Sequence, residues 1–372
     1  MLDAPPPLPP PAIEQPATHQ VSYGLVTGRA ARGTRRVLVF ADGRRLAARP
    51  LRGRRFSLRV ALPTGDLSVR VVTVARDGRR SFRVVRDVFG LPAAARPRAR
   101  GAAREDRVLA RKLRALERAY RGTTGYYVES LTGGRGAAWN AKARFPAAST
   151  LKVAIAAAVL ARHSGIPPPG SRLDGLLREM LIPSDDEAAN ALLVWLGGST
   201  SSGAYRVNDL MRSIGLVDSL MYGGYETRTL SGPIPVRVDE APAFGVGKYT
   251  TAWDMARLWR ALWLASGGIG PLRSAQPGLR PAEARYLLWL VAHVRDLPKL
   301  DGLVRGERAV GVLHKAGWIS TARHDTGLVF WEGGVFVASV MTYRSSGIAL
   351  SSDRLAARVA ATSLARFRRT DG

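Results

Sequence analysis

The chain contains no cysteine. Disulfides, thiolate metal sites and a cysteine nucleophile are thereby excluded, while the compartment stays open. Histidine is sparse: His19, His163, His293, His314 and His324 are dispersed, with no H-E-x-x-H or comparable ligand spacing. No metal or other cofactor is therefore expected. Acidic residues are also scarce, 29 Asp and Glu against 56 Lys and Arg, for a net charge of +27 at pH 7. Such a surplus favours anionic partners: nucleic acid, an acidic membrane surface or a polyanionic cell-wall polymer. An aromatic-rich RNA-binding signature and zinc-finger spacing are both missing, which argues against specific nucleic-acid recognition. No apolar run reaches the ~20 residues of a membrane span. Residues 1–20 lack the basic start and apolar core of a signal peptide, so none is readable. The chain reads as soluble, and nothing in it points to an oligomeric state.

What is present suggests two or three domains in 372 residues, with 46% hydrophobic and 23% charged residues, an ordinary globular balance. Residues 1–20 are proline-rich and are expected to be a disordered tail. Residues 21–91 carry short alternating runs with turn signals at Asp42-Gly43 and Asp77-Gly78. Phe56, Leu58, Val60 and Leu62 fall on one strand face. This pattern fits a small immunoglobulin-like β-sandwich, either an accessory module or a plain appendage. Residues 92–103 are an Ala/Arg/Pro linker, and residues 104–372 form a larger mixed domain. In it a helix is expected over Arg104 to Arg121, then a hairpin around Thr132-Gly133-Gly134. A long helical insert follows, then three strands and a final helix from about Asp353 to Phe367. Two strands before the insert and three after it can complete one five-stranded antiparallel sheet backed by terminal helices. The insert then makes a second, helical lobe, and a site is expected where the lobes meet.

The stretch that concentrates chemistry is Phe145-Pro146-Ala147-Ala148-Ser149-Thr150-Leu151-Lys152, which opens a run of strong helix formers. Positions i and i+3 share a helix face, so the Lys152 ammonium can lie beside the Ser149 hydroxyl. A serine hydroxyl needs a nearby group to take its proton. Desolvation at the foot of an apolar helix can lower the lysine pKa enough for that role. Alone, the same residues also describe an ordinary helical turn with a solvated lysine.

Two further motifs follow in order: Ser184-Asp185-Asp186, then Lys315-Ala316-Gly317. With Ser149-x-x-Lys152 they resemble the S-x-x-K, S-D-N and K-T-G set of class A β-lactamases and related penicillin-binding proteins. The flanks agree: Ile182 to Leu193 around the second motif, Thr250-Thr251-Ala252-Trp253-Asp254-Met255-Ala256, and His314 to Trp318 around the third. The resemblance covers roughly Arg104 to the C-terminus and implies an α+β serine β-lactamase/transpeptidase-like fold. It also implies roles. Ser149 attacks a lactam or peptide carbonyl, with Lys152 as base or hydrogen-bond partner. Ser184 relays a proton to the leaving nitrogen, and Lys315 supplies a cation for the substrate carboxylate. Backbone N–H groups of Ser149 and Trp318 form the oxyanion hole, and Asp186, Lys315, Gly317 and Trp318 are the substrate-binding residues that the resemblance implies. Asp185 and Asn190 brace the site.

Departures from the pattern matter. Asp186 stands where the family has Asn, so an amide donor is replaced by a carboxylate that repels anionic substrates unless a cation pairs with it. Ala316 replaces a hydroxyl-bearing residue. The loop glutamate that activates the deacylating water belongs to an E-x-x-L-N pattern that this chain lacks. Glu226 falls near the expected place and is either that base or a surface loop residue; Glu240 is a weaker rival. The readings left open are a β-lactamase-like acyl hydrolase, a wall-peptide D,D-peptidase of the penicillin-binding kind, and a non-enzymatic protein that binds peptidoglycan or an anionic wall polymer. The family works outside the cytoplasm, so an envelope or secreted location is expected.

Overall fold

The computed structural model describes residues 6–225, 247–296, 298–347 and 350–371. They fall into two compact units, divided between Arg96 and Pro97.

The first unit holds strands β1 (Ala12–Gln15), β2 (Gln20–Ser22), β3 (Leu25–Arg29), β4 (Thr34–Ala41), β5 (Arg44–Pro50), β6 (Arg55–Arg59), β7 (Gly65–Ala75) and β8 (Arg80–Gly90). They make one sheet in the order β1-β3-β6 and another in the order β2-β8-β7-β4-β5. Alternation drives this arrangement: Leu67, Val69, Val71 and Ala75 of β7 are buried while their neighbours along the strand are less so. Val26 and Phe56 from the first sheet meet Val39, Val69, Val71 and Val88 from the second in one core. The sequence points to a disordered tail over residues 1–20, and here the structure differs. Ala12–Gln15 pairs antiparallel with β3, and Leu8 and Val21 are buried. Proline composition suggested disorder, but β1 is an edge strand, where proline-rich flanks cost no ladder hydrogen bonds.

The second unit begins with β9 (Arg104–Glu105) and α1 (Arg107–Arg118). The expected helix start at Arg104 is thus corrected. Asp106 caps α1 by accepting hydrogen bonds from the Val108 and Leu109 N–H groups, and the two residues before it pair with a strand. Then come β10 (Thr123–Ser130), β11 (Arg135–Trp139), β12 (Phe145–Pro146), α2 (Lys152–His163), α3 (Arg172–Leu181), α4 (Asp186–Gly197) and α5 (Thr200–Ser213). After them follow β13 (Tyr249–Thr250), α6 (Ala252–Ser266), α7 (Pro271–Ala275), α8 (Pro281–Ala292), β14 (Gly311–Trp318), β15 (Arg323–Trp331), β16 (Gly334–Tyr343) and α9 (Leu350–Thr370).

The main sheet runs β14-β15-β16-β10-β11-β9. Its first five strands are antiparallel, and β9 adds a sixth, pairing parallel to β11 over two residues. Five strands were expected; a two-residue strand carries no periodicity by which to find it. Leu109 and Leu113 of α1 and Leu355, Val359 and Phe367 of α9 pack with Val128, Val329 and Phe336 of the sheet. Residues 152–160 of α2 are all buried. A helix that is apolar on every side needs a shell of other helices around it, and α3, α4, α5 and α8 supply contacts to it. The only charged side chain in that buried run is Lys152.

The placing of β14 is what matters for function. It is an edge strand, so its outer backbone is free to face the start of α2. Among the described residues, no helix is long and apolar enough to cross a membrane.

Phe367 is fully buried and its ring lies 5.4 Å from that of Phe336. Truncation to Ala is expected to destabilise the second unit by about 3–5 kcal/mol. Urea denaturation of Phe367→Ala, followed by tryptophan fluorescence, measures it.

Candidate active site

Ser149 sits in a single 3₁₀ turn, Ala148–Leu151, between β12 and α2. The turn is tied from several sides. Ala147 N–H donates to Lys248 O at 2.9 Å, and Thr150 Oγ1 donates to Ala147 O at 2.6 Å. β12 pairs with β13, and His324 Nε2 donates to Pro146 O at 2.7 Å. Thr342 N–H in turn donates to His324 Nδ1, which fixes the neutral tautomer. Ala148 has φ +46°, a conformation that alanine adopts at a cost of about 1 kcal/mol. These ties hold it there and present Ser149 half-buried.

Lys152 follows three residues later and is fully buried. Its ammonium donates to Ser184 O at 2.5 Å, to Asp186 Oδ1 at 2.5 Å and to Ser184 Oγ at 3.4 Å. Burial lowers the Lys152 pKa, and Asp186 pulls it back only in part, so it lies below the ordinary lysine value. Ser184 has φ +66°, and Asp185 behind it caps α4 by accepting from Ala188 N–H at 2.6 Å. The first two motifs therefore meet around one ammonium.

The third motif arrives on β14. A Cβ on Gly317 would lie 2.7 Å from the Ser149 nitrogen and 2.9 Å from that of Thr150, so only glycine lets the strand come this close. Ala316 is buried, and Trp318, next along, is 60% exposed. Lys315 is wholly buried; its ammonium donates to Asp296 Oδ2 at 2.9 Å and to Ala316 O at 3.1 Å. Burial lowers the Lys315 pKa against the pull of Asp296. Burial would raise the Asp296 carboxyl, but Lys315, Lys299 and His314 hold it below its usual range. Lys315 thus arrives already paired rather than as a bare cation.

Asn190, on α4, grips Tyr225 twice: Tyr225 N–H donates to Asn190 Oδ1 at 2.7 Å and Asn190 Nδ2 donates to Tyr225 O at 3.1 Å. The Tyr225 ring lies between two ammonium groups, 4.7 Å from Lys152 Nζ and 4.5 Å from Lys248 Nζ. Its hydroxyl donates to Ala148 O at 3.3 Å, immediately before Ser149. The segment leading to Tyr225 is anchored on Asp254, whose Oδ2 accepts from Asp218 N–H and Ser219 Oγ, each at 2.9 Å. Burial pushes the Asp254 carboxyl up to about 6. Glu226 and Glu240 lie outside the described residues.

Chemically, this is a hydroxyl on a strained turn, a buried lysine on the same helix start, a second hydroxyl on that lysine, and a strand edge against the serine nitrogen. The model of the beta-lactamase enzyme family matches residues 107–165 and 167–367. The chain belongs to that family. Its fold is similar to that of a beta-lactamase from Sphaerobacter thermophilus, at 20% identity and TM-score 0.55, covering 70% of this chain and 97% of that one. It is likewise similar to PBP-A, at 19% identity and TM-score 0.57, covering 73% of this chain and all of the other. An ancestral class A beta-lactamase matches at 23% identity and TM-score 0.55, over 70% of this chain and all of that one. No curated protein matches the chain in sequence. The family supports a beta-lactamase- or penicillin-binding-protein-like serine hydrolase.

Sequence motifs did not reveal Asp296, Tyr225 or Lys248. Asp296 and Lys248 stand outside any of the three motifs, and Tyr225 carries no motif of its own beside Glu226. Each is recruited by tertiary placement.

His324 tests the geometry. Burial depresses its pKa from 6.5 to about 4 against the pull of the backbone carbonyls of Pro146 and Arg323. Between those values the unfolded chain binds a proton that the native protein does not, so stability is lost as pH falls through that window. ¹⁵N NMR is expected to show His324 neutral with its proton on Nε2 at pH 5.5. An imidazolium there would contradict the assigned hydrogen bonds.

Proposed function

We propose that this protein is a serine acyl hydrolase, acylated at Ser149 by a β-lactam or a related amide. The observation that carries the reading is that Lys152, three residues after Ser149, is buried with its pKa lowered and bonded to Ser184, while Gly317 abuts the Ser149 nitrogen. Lys152, as free amine, takes the Ser149 proton, and Oγ attacks the substrate carbonyl. The resulting oxyanion is met by the N–H groups of Ser149 and Trp318, the edge that Gly317 keeps open. Ser184 hands a proton to the leaving nitrogen, the C–N bond breaks, and the acyl group remains on Oγ. Lys315 is the proposed cation for the substrate carboxylate, which would share its ammonium with Asp296.

Release of the acyl group needs a water and a base. Glu226 is the proposed base, with Glu240 its rival. One observation favours a second reading. The Tyr225 ring packs beside Lys152 and its hydroxyl donates to Ala148 O, so an apolar ring stands next to the proposed base. That favours slow deacylation, and with it a wall-peptide D,D-peptidase of the penicillin-binding kind. PBP-A, to which the fold is similar, is known as an acyl-enzyme complex with penicillin G in one variant. A non-catalytic wall-binding role suits the net charge of +27 but leaves the lowered lysine pKa without a use. The basic surface and the N-terminal unit, read as an immunoglobulin-like sandwich, suit contact with an anionic wall polymer outside the cytoplasm.

Incubation with a fluorescent penicillin is expected to label the protein covalently and Ser149→Ala not at all. Turnover of a chromogenic cephalosporin that falls at least about tenfold in Glu226→Gln would establish the β-lactamase branch. Stable label without turnover would establish the peptidase branch. Absence of label would refute acylation altogether.

A further inference from the structure

The main sheet leaves room on its α6 side. Tyr127 and Glu129 of β10 alternate with Tyr126 and Val128, which belong to the core on the other face. Their partners on β11 are Ala138 and Gly136, too small to fill the layer. A cavity of about 760 Å³ opens there, between these strands, residues 99–105 and α6. Trp253, Arg257, Arg260 and Leu264 are spaced four, three and four apart, so one face of α6 lines it. Arg260 ties the 99–105 segment across the helix, donating to Arg100 O at 2.6 Å and to Gly101 O at 3.4 Å. None of the lining residues belongs to the three motifs around Ser149.

Two opposite charges in this cavity are incompletely matched. The Glu129 side chain is only 5% exposed. Its Oε2 accepts from the Tyr127 hydroxyl at 2.9 Å, but among the described residues no hydrogen bond reaches Oε1. Arg260 Nη1 stands 3.8 Å from Oε1, an ion pair too long for a hydrogen bond. Burial pushes the Glu129 carboxyl up, against the pull of Arg260, Tyr127 and Arg257. Arg257 makes no ion pair among the described residues; it acts on Glu129 and Asp254 only at a distance. Its guanidinium lies 5.7 Å from the Trp253 ring, which meets Tyr127 edge-on at 4.9 Å. Arg257 is one helical turn from Arg260, about 5–6 Å between Cβ atoms, so a small molecule can span both charges. The other charged lining residues, Arg100, Arg104 and Glu105, are exposed and screened by water.

A simple anion here would face Glu129, and a simple cation would face two arginines. A zwitterion satisfies both. We propose that the cavity binds a free amino acid with a large apolar side chain. Its ammonium meets Glu129 Oε1, its carboxylate meets Arg257, and its side chain lies against Trp253, Ala261 and Leu264. Each charged contact is a charge-assisted hydrogen bond. This site is independent of acylation at Ser149.

Phenylalanine, 3-phenylpropionate and 2-phenylethylamine test the assignment, since the second lacks the ammonium and the third lacks the carboxylate. Isothermal titration calorimetry of the full chain at pH 7 measures each, with both enantiomers of phenylalanine. One enantiomer is expected to bind at least about tenfold tighter than either truncated analogue, the worth of one charge-assisted hydrogen bond. In Glu129→Gln its affinity should fall to that of 3-phenylpropionate, and in Arg257→Gln to that of 2-phenylethylamine. Comparing ligands within one variant cancels any general loss of structure, and the exposed Arg257 decides the matter if Glu129→Gln does not fold. Three results would each overturn the proposal: no saturable heat from either enantiomer at millimolar concentration, 3-phenylpropionate binding as tightly as phenylalanine, or a preference that Arg257→Gln leaves unchanged.

Discussion

One buried ammonium organises the second unit. Lys152 sits in a stretch of α2 that is otherwise entirely apolar, with Ser184 O and Asp186 Oδ1 each 2.5 Å from its nitrogen. A charge so placed is tolerated only when it is paired and hydrogen-bonded. The demand therefore fixes more than a side chain. It sets the distance between α2 and the start of α4 and holds Ser184 in its left-handed conformation. The Tyr225 ring lies 4.7 Å from Nζ. The same burial that makes the pair necessary lowers the lysine pKa, so structural constraint and reactivity have one cause.

Around that centre the fold contributes rigid walls. β14 closes in as an edge strand because Gly317 has no Cβ to strike the Ser149 nitrogen. The neutral His324 imidazole bridges Pro146 O and Thr342 N–H, tying the turn before Ser149 to the central strands. Behind β14, His314 meets Asp325 at 2.9 Å; burial works against its charge, but Asp325 wins and its pKa is raised. Two buried histidines in neighbouring strands are thus driven in opposite directions by their partners. Each supports the strand that frames the site.

Much of the site was legible from the sequence because its parts are short contiguous motifs whose chemistry is local. Ser149 and Lys152 share a helix turn, Ser184 to Asp186 open another helix, and Lys315 to Gly317 end a strand. The split sheet was read separately, from two strands before the helical insert and three after it. Lys315 shows where that reasoning stops. A lysine in a K-x-G stretch suggests an open cation, whereas the fold buries it against Asp296, which belongs to no motif. Tyr225 and Lys248 were equally out of reach, for a ring between two ammonium groups is a tertiary arrangement that no spacing encodes. β1 was missed because proline-rich composition and an edge strand look alike until the partner strand is known. The Asp186 departure, visible in the sequence as a possible repulsion, acquires its meaning only from the lysine that pairs with it.

Acylation of Ser149 depends on Lys152 acting as a free amine beside Asp186. Titration of ¹³C,¹⁵N-lysine-labelled protein, with the Lys152 signal assigned by its loss in Lys152→Arg, measures this directly. The predicted result is a midpoint below the ordinary lysine value of 10.5, with the same group titrating higher once the chain is unfolded. A midpoint at or above 10.5 would mean that Asp186 outweighs burial, and Lys152 would then be a structural cation rather than the base for Ser149.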